Sequence, residues 1–498
     1  MEDLKFLIEK LERELEKYEP KGELEEIGRV LKVGDGIVWI DGLYKAMVSE
    51  ILLVEGKNIL LMVLNLEEGV IGAAALNDFE KIKEGDIVKR TGQIIQIPVG
   101  YNLVGRVIDP LGRPLDGLGE IVSDEFYPLE RPAPSVIDRE PVNTPLHTGI
   151  KIIDALIPIG RGQRELILGD RKIGKTAIVL DLILNQKQDV FDTPICIYVA
   201  IGQKLSKIRR IYETLKERGA LDYTIIVATS PSDLPILLYL APYTGCSIGE
   251  YFRDKGKDAV VIYDDLTKHA WAWREISLLL KRPAGREAYP GDIFYTHSRL
   301  LERSAKLKNG GSLTAIPICE TQLGDISAYI PTNLISITDG QIYLETELFN
   351  AGFRPAINIG LSVSRVGSKA QTKIIKKIAG KLKLDLAQYR ELEAFAQVAA
   401  ELAEETKQKL IRGRIIMELL KQPDLKPFSF EETAVLLYAA VNGYLDNIPV
   451  FKIKEVEERI IKKLKLEKQE LLEKIREVKD LSEEIEKMIK EFLIQVLQ

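Results

Sequence analysis

Cysteine is scarce. Of 498 residues only Cys196, Cys246 and Cys319 are cysteine, far apart and without metal-ligand spacing, which argues against a disulfide framework and against a zinc site. Reduced structural thiols in a reducing compartment fit that usage. No run approaches the roughly 18 consecutive apolar residues of a membrane-spanning helix, so the chain itself is not expected to span a membrane, and any membrane association must come through partners. Positive charge is not in excess: 69 Lys and Arg stand against 75 Asp and Glu, a net −6. That balance excludes bulk nucleic-acid binding as a function class. The first residues, Met1-Glu-Asp-Leu-Lys5, do not read as a signal or transit peptide. What is present is a globular balance, with 46% hydrophobic and 29% charged residues, in a chain long enough for about three domains.

Texture changes along the chain. Leu4, Leu7, Leu11, Leu15 and Tyr18 fall at helical spacing, and Pro20 and Gly22 stop the pattern, so residues 1–22 read as a short helix too narrow in its apolar stripe to stand alone. Residues 23–97 carry short β-rich runs separated by turn signals such as Gly34-Asp35-Gly36 and Glu55-Gly56-Lys57-Asn58, a pattern of a small barrel or sandwich. Proline and glycine are dense over 98–145, read as ordered connecting loops that open a domain extending to residue 373. Within it, Leu166–Leu168, Ile195–Ile201, Tyr223–Ala228 and Ala259–Tyr263 are near-continuous apolar runs, as expected of parallel strands covered on both faces. Residues 374–498 are helical in pattern. A last helix has Asp480 as its expected cap and Leu481, Ile485, Met488, Phe492 and Val496 on one face.

Gly169-Asp170-Arg171-Lys172-Ile173-Gly174-Lys175-Thr176 fits the G-x-x-x-x-G-K-[ST] phosphate loop, with a strand before it and a helical pattern after it. The glycines let successive N–H groups face one anion, and the helix start adds positive potential. Lys175 is expected at the β- and γ-phosphates of ATP or ADP, with the Thr176 hydroxyl on Mg²⁺. A second metal contact is expected from an acid at the end of a neighbouring buried strand, and Asp264 is a better candidate than Asp265.

Further stretches are Gly160-Arg-Gly-Gln-Arg-Glu165, Tyr198-Val-Ala-Ile-Gly-Gln-Lys204, Gly249-Glu-Tyr-Phe-Arg253, Arg282-Pro-Ala-Gly-Arg-Glu-Ala-Tyr-Pro-Gly291, Tyr329-Ile-Pro-Thr-Asn333 and Ser362-Val-Ser-Arg-Val-Gly-Ser368. With these the chain resembles, over essentially its whole length, the alpha subunits of F-type (rotary, proton-translocating) ATP synthases. The resemblance implies a multidomain fold: an N-terminal β-barrel, a central RecA-like P-loop α/β domain and a C-terminal α-helical bundle. It implies catalytic beta subunits alternating with this chain in a three-plus-three ring around a central rotary shaft. A delta-type peripheral-stalk subunit would meet residues 1–19. The implied location is peripheral, on the cytoplasmic face of a bacterial plasma membrane, with an organelle inner membrane as the alternative.

In the beta subunits a glutamate orients the attacking water; here the corresponding residue is Gln203, an extremely poor proton acceptor. A glutamine serves water-positioning GTPases, so chemistry alone leaves turnover open, and the resemblance favours a nucleotide that stays unhydrolysed. Arg365 matches the family's arginine finger, supplied in trans to the neighbouring catalytic site. Phe349, Arg354, Pro355 and Gln422 match base-contacting positions, and Arg171 adds charge beside the phosphates. Departures are Lys172-Ile173, where Gln-Thr is common, and Asp424 in place of a second glutamine. His147, His269 and His297 share no motif spacing and read as structural or surface residues. The competing readings are a self-sufficient homohexameric ATPase, which needs a carboxylate at position 203, and a ring spacer, which needs neither Lys175 nor Arg365.

Overall fold

The computed structural model describes residues 26–396 and 404–497; the helix expected over residues 1–19 lies outside them. Its chain forms two compact units, divided between Ile95 and Gln96.

In the first unit, β1 (Ile27–Gly34), β2 (Ile37–Asp41), β3 (Glu50–Val54), β4 (Ile59–Glu67), β5 (Val70–Ala75) and β6 (Ile87–Ile94) close a barrel in the order β1-β2-β5-β4-β3-β6. Alternation decides the inward face: Leu52 and Val54 of β3, with Val38, Ile40, Leu61 and Val63, are buried in the interior. Asp35 and Gly36 both take positive φ (49° and 79°), the geometry of a tight hairpin turn that matches strand twist. Closure removes the open edges a sandwich would leave.

The second unit starts with β7 (Gln96–Val99), then β8 (Val107–Ile108) and β9 (Glu125–Pro128); β7 and β9 pair as an antiparallel ribbon. The segment expected to be connecting loop thus also supplies β8, the edge of the main sheet. That sheet adds β10 (Leu166–Gly169), β11 (Ile195–Ala200), β12 (Thr224–Ala228), β13 (Ala259–Asp264), β14 (Leu313–Glu320), β15 (Gly340–Tyr343) and β16 (Val363–Ser364), in the order β16-β15-β10-β14-β13-β11-β12-β8. Every pairing from β15 to β8 is parallel, and only β16 runs antiparallel. Strands such as β13, buried at every residue, are apolar up to the last residue because helices cover both faces. β14 lies outside the apolar runs that sequence alone marks as strands, because Pro317 argues against a central strand. Pro317 stands opposite Tyr263 of β13, and on the β10 side its missing N–H falls in the gap between the Arg164–Ala315 bridge and the ladder that resumes at Ile167–Ile318.

Helices fill the end of the chain, at Lys373–Ala396, Glu404–Leu420, Phe430–Val441, Ile453–Glu467, Gln469–Val478 and Glu483–Leu497. Ile485, Phe492 and Val496 are buried as their spacing implies. The cap of the last helix is Ser482, whose Oγ accepts from Ile485 N at 3.3 Å. Asp480 instead pairs with Lys377 at 2.7 Å. Inside the unit, Lys151, on the short helix Lys151–Leu156, donates to Glu457 of the helix Ile453–Glu467 and is fully buried. Burial lowers its pKa to about 8 despite the Glu457 charge. Truncating one member of a buried pair strands the other charge. Lys151→Met should therefore destabilise this unit by on the order of 3 kcal/mol, read as a lower urea midpoint, with Glu457 left to Lys454 alone.

Candidate functional site

Parallel strands bring their carboxyl ends to one side of the sheet, where the following loops form a crevice. The loop after β10 is the phosphate-loop sequence. Gly169 takes φ 154°, and a Cβ there would lie 2.6 Å from Ile173 Cδ1 and 2.9 Å from the Leu344 carbonyl. Gly174, at φ 103°, opens the helix Lys175–Asn185. Asp170 fixes the loop from outside: its carboxylate accepts from Thr321 Oγ1 (2.7 Å), Thr346 Oγ1 (2.7 Å) and Gly324 N (2.9 Å). Burial alone would raise its pKa, and these donors hold it below the usual range. Arg171 and Lys172 are exposed and Ile173 is buried. Lys175 is buried, its Nζ donating to the carbonyls of Gly169 (2.6 Å) and Asp170 (2.5 Å). Desolvation lowers its pKa against the pull of Glu320, Asp265 and Asp264.

Asp264 ends β13 beside this loop and is 3% exposed. Its Oδ2 accepts from Thr176 Oγ1 (3.1 Å), Tyr198 OH (2.5 Å) and Lys207 Nζ (2.9 Å). Gln203 Nε2 donates to its Oδ1 (2.9 Å) and to its carbonyl (3.1 Å). Burial pushes the carboxyl pKa up, but Lys207 and Tyr198 outweigh it and keep Asp264 below the usual range. Asp265 does something different. Its Oδ1 caps the helix Leu266–Leu279 by accepting from Lys268 N at 2.9 Å, and burial raises its pKa to about 6. Thr176 and Asp264 together offer hard oxygen donors, the kind Mg²⁺ takes alongside substrate phosphates and water. Among the described residues no three His, Cys, Asp or Glu side chains gather as a protein-only metal cage.

On the other flank of the phosphate loop lies a cleft of about 150 Å³, lined by Lys172, Ile173, Gly174, Asp181, Phe349, Arg354, Pro355, Gln422 and Asp424 among others. Against the roughly 300–1,000 Å³ of whole-ligand pockets, this is room for a ring rather than for an entire nucleotide. The Arg354 guanidinium stacks 4.6 Å from the Phe349 ring centre. Gln422 is committed internally: Nε2 donates to the carbonyls of Gly149 (2.8 Å) and Lys426 (2.9 Å), and Oε1 accepts from Lys151 N (3.2 Å).

Arg365 lies elsewhere. It follows β16, whose Ser364 stands opposite Gly340 at the amino end of β15, and its N–H bonds the Asp339 carbonyl at 2.8 Å. Because β15 runs parallel to β10, Arg365 sits at the opposite end of the sheet from the loop that follows β10. It is exposed, and its guanidinium makes no hydrogen bond or ion pair among the described residues.

Three family models match in succession: the beta-barrel domain of the ATP synthase alpha/beta family over residues 23–92, its nucleotide-binding domain over 149–364 and its C-terminal domain over 371–496. The ATP synthase subunit alpha of Petrotoga mobilis is 57% identical over 498 residues, covering 99% of this chain and 98% of the relative. That of Dehalococcoides mccartyi is 55% identical over 488 residues, covering 97% and 96%. The chain belongs to the ATP synthase alpha/beta family. Its barrel, nucleotide-binding α/β domain and helical domain follow the family's layout, and no helix among the described residues is long and apolar enough to cross a membrane.

Some residues in this family member's site carry no signal of their own in the sequence. Tyr198 stands out there only as part of a longer motif, and its hydroxyl reaches Asp264 across one strand. Lys207 belongs to no motif, although its position four after Gln203 at a helix start places both side chains on one side. Asp181, lining the cleft, is 4% exposed, with Oδ1 lacking any partner among the described residues, while the nearby Leu425 and Lys426 N–H groups favour the ionised carboxyl. Burial, reinforced by Asp424, pushes it up to about 7. A folded pKa above the unfolded value near 3.9 gives stability present at low pH and lost as pH rises through about 7. Asp181→Asn keeps an acceptor for Leu425 and Lys426 and removes that loss. Thermal melting should show the variant's advantage over the parent growing from pH 5 to pH 8.

Proposed function

We propose that the chain is the non-catalytic, nucleotide-holding alpha subunit of a rotary ATP synthase, and that it lends Arg365 to the catalytic site of an adjacent beta subunit. The observation that carries the reading is Gln203. Both ends of its amide are taken, Nε2 by Asp264 and Oε1 by Lys207 Nζ at 3.2 Å, so it neither accepts a proton well nor stands free to orient a water.

In this reading the N–H groups of Gly169–Thr176 and the Lys175 ammonium hold the phosphates of ATP or ADP. Thr176 and Asp264 hold Mg²⁺, which when bound neutralises phosphate charge. Phe349, Arg354 and Pro355 present ring, guanidinium and apolar faces to the base, while Gln422 holds the cleft wall in place and Lys172 and Asp424 set its rim charge. Arg365, being at the wrong end of the sheet for its own loop, is suited to a γ-phosphoryl group held by a neighbour, where its planar fork spreads over developing charge.

The partners are beta subunits in an alternating three-plus-three ring, a central shaft, and a delta-type stalk subunit at residues 1–22. The division is barrel 23–97, nucleotide-binding domain 98–373 and helical bundle 374–498. The assembly couples ATP turnover to proton transport at the cytoplasmic face of a bacterial membrane.

The purified chain should bind Mg·ATP and turn it over far below about 1 s⁻¹, the low end of typical enzyme rates. Lys175→Ala should abolish that binding. In the assembled ring, Arg365→Ala should leave nucleotide on its own subunit and cut multisite hydrolysis by on the order of 10³–10⁵, with Arg365→Lys recovering little. Hydrolysis by the isolated chain at ordinary enzyme rates, or near-normal turnover in the Arg365→Ala ring, would overturn the assignment.

A further inference from the structure

The ammonium of Lys207 stands where a metal-holding site is expected to keep its carboxylate open. Its Nζ is 2.9 Å from Asp264 Oδ2, the same oxygen that takes the Thr176 hydroxyl, and 3.2 Å from Gln203 Oε1. Three groups that a metal–phosphate centre would draw on, Asp264, Thr176 and Gln203, therefore share one network centred on Asp264, and Lys207 bonds two of them. The side chain comes from the helix Leu205–Glu217 and is 36% exposed, so it has a route to solvent, whereas Asp264 has none. Two other cations bear on this corner. Lys175 is folded onto the loop carbonyls, and Lys268 is paired with Asp265 at 3.5 Å. Lys207 alone among the three contacts Asp264 directly.

We infer that Lys207 is a resident counter-cation of Asp264 that Mg²⁺ must displace, so that this subunit holds nucleotide with little dependence on the metal. The inference rests on the nucleotide-holding reading above and deepens it. A buried carboxylate needs a compensating charge. With Lys207 in place that need is met by the protein itself. The arriving dication must then both break an existing ion pair and sit near the displaced ammonium, and each effect weakens its hold. With Asp264 already neutralised by Lys207, nucleotide binding without metal meets no uncompensated carboxylate at this corner. Closing the pair also keeps the Gln203 amide engaged, which ties weak metal capture to the lack of turnover.

The test is the ratio of ATP affinities with and without Mg²⁺, measured by calorimetry on the full-length chain in Mg²⁺ and in chelator. A unit charge removed at about 4 Å from a dication in a partly solvated site is worth roughly tenfold or more. Lys207→Met and Lys207→Gln should raise that ratio at least about tenfold, by tighter Mg²⁺ capture, weaker metal-free binding, or both. Lys207→Arg, which keeps the charge, should stay near the parent. Matched melting curves check that each variant is folded, and the two neutral variants serve as alternates for each other. An unchanged ratio in the neutral variants, or an arginine variant that behaves like them, removes Lys207 from this role and leaves the nucleotide-holding reading intact. A parent chain that binds no ATP under either condition sinks both.

Discussion

A carboxylate buried at the end of a central strand cannot be left uncompensated, and Asp264 imposes that constraint on everything around it. With 3% exposure, it has almost no water to solvate its charge, and the protein must do so. The donors come from four places: Tyr198 inside β11, Gln203 in the loop after it, Lys207 on the next helix and Thr176 on the phosphate loop. One side chain therefore sets the relative position of two strands, two loops and two helix starts. This is how a flat sheet edge becomes a site with fixed geometry.

In the proposed reading the same sheet separates two roles by direction. Groups for holding an anion gather at the carboxyl ends of the parallel strands, where helix starts point inward. Arg365 comes off an antiparallel edge strand at the other end. A single cation cannot serve both ends of a sheet. The Arg365 guanidinium is exposed there, and its charge partly offsets the burial that raises the pKa of Glu165. The separation is a property of strand direction, so it holds whatever the side-chain rotamer.

Much of this was legible in the sequence, for reasons that can be named. The phosphate loop is local, so its eight residues carry their geometry with them. Asp264 is readable because a strand buried on both faces is apolar until its last residue. Closure of the barrel was legible only through the family resemblance, since alternation by itself fits a sandwich equally well. β14 was hidden by Pro317, which costs one bond of the β10 ladder while the pairing with β13 runs through to it. Ser482 displaced Asp480 as cap because Asp480 has Lys377 as a competing partner from a distant helix. His269 and His297, without motif spacing, meet at 3.2 Å inside the α/β domain, a contact that no spacing rule sees. Lys207 belongs to the same class, since its meaning depends on a carboxylate 57 residues away.

The cleft beside the phosphate loop shows how a local feature is joined to the rest of its unit. Gln422 matches a base-contacting position, yet every polar atom of its amide is spent on Gly149, Lys426 and Lys151. Its own N–H reaches the Arg354 carbonyl at 2.7 Å. The segment that walls the cleft is thus tied on one side to the start of the α/β domain and on the other to the loop bearing Arg354 and Pro355. Lys151 continues the chain of contacts into Glu457 and the terminal helices. A ring entering this cleft presses on a wall whose hydrogen bonds run into the helical region. Moving that wall means breaking several buried bonds together, each costly to leave unmade. The cleft should therefore behave as a rigid socket, with selectivity set by the groups at its rim, Lys172, Arg354 and Asp424, and not by adjustment of Gln422.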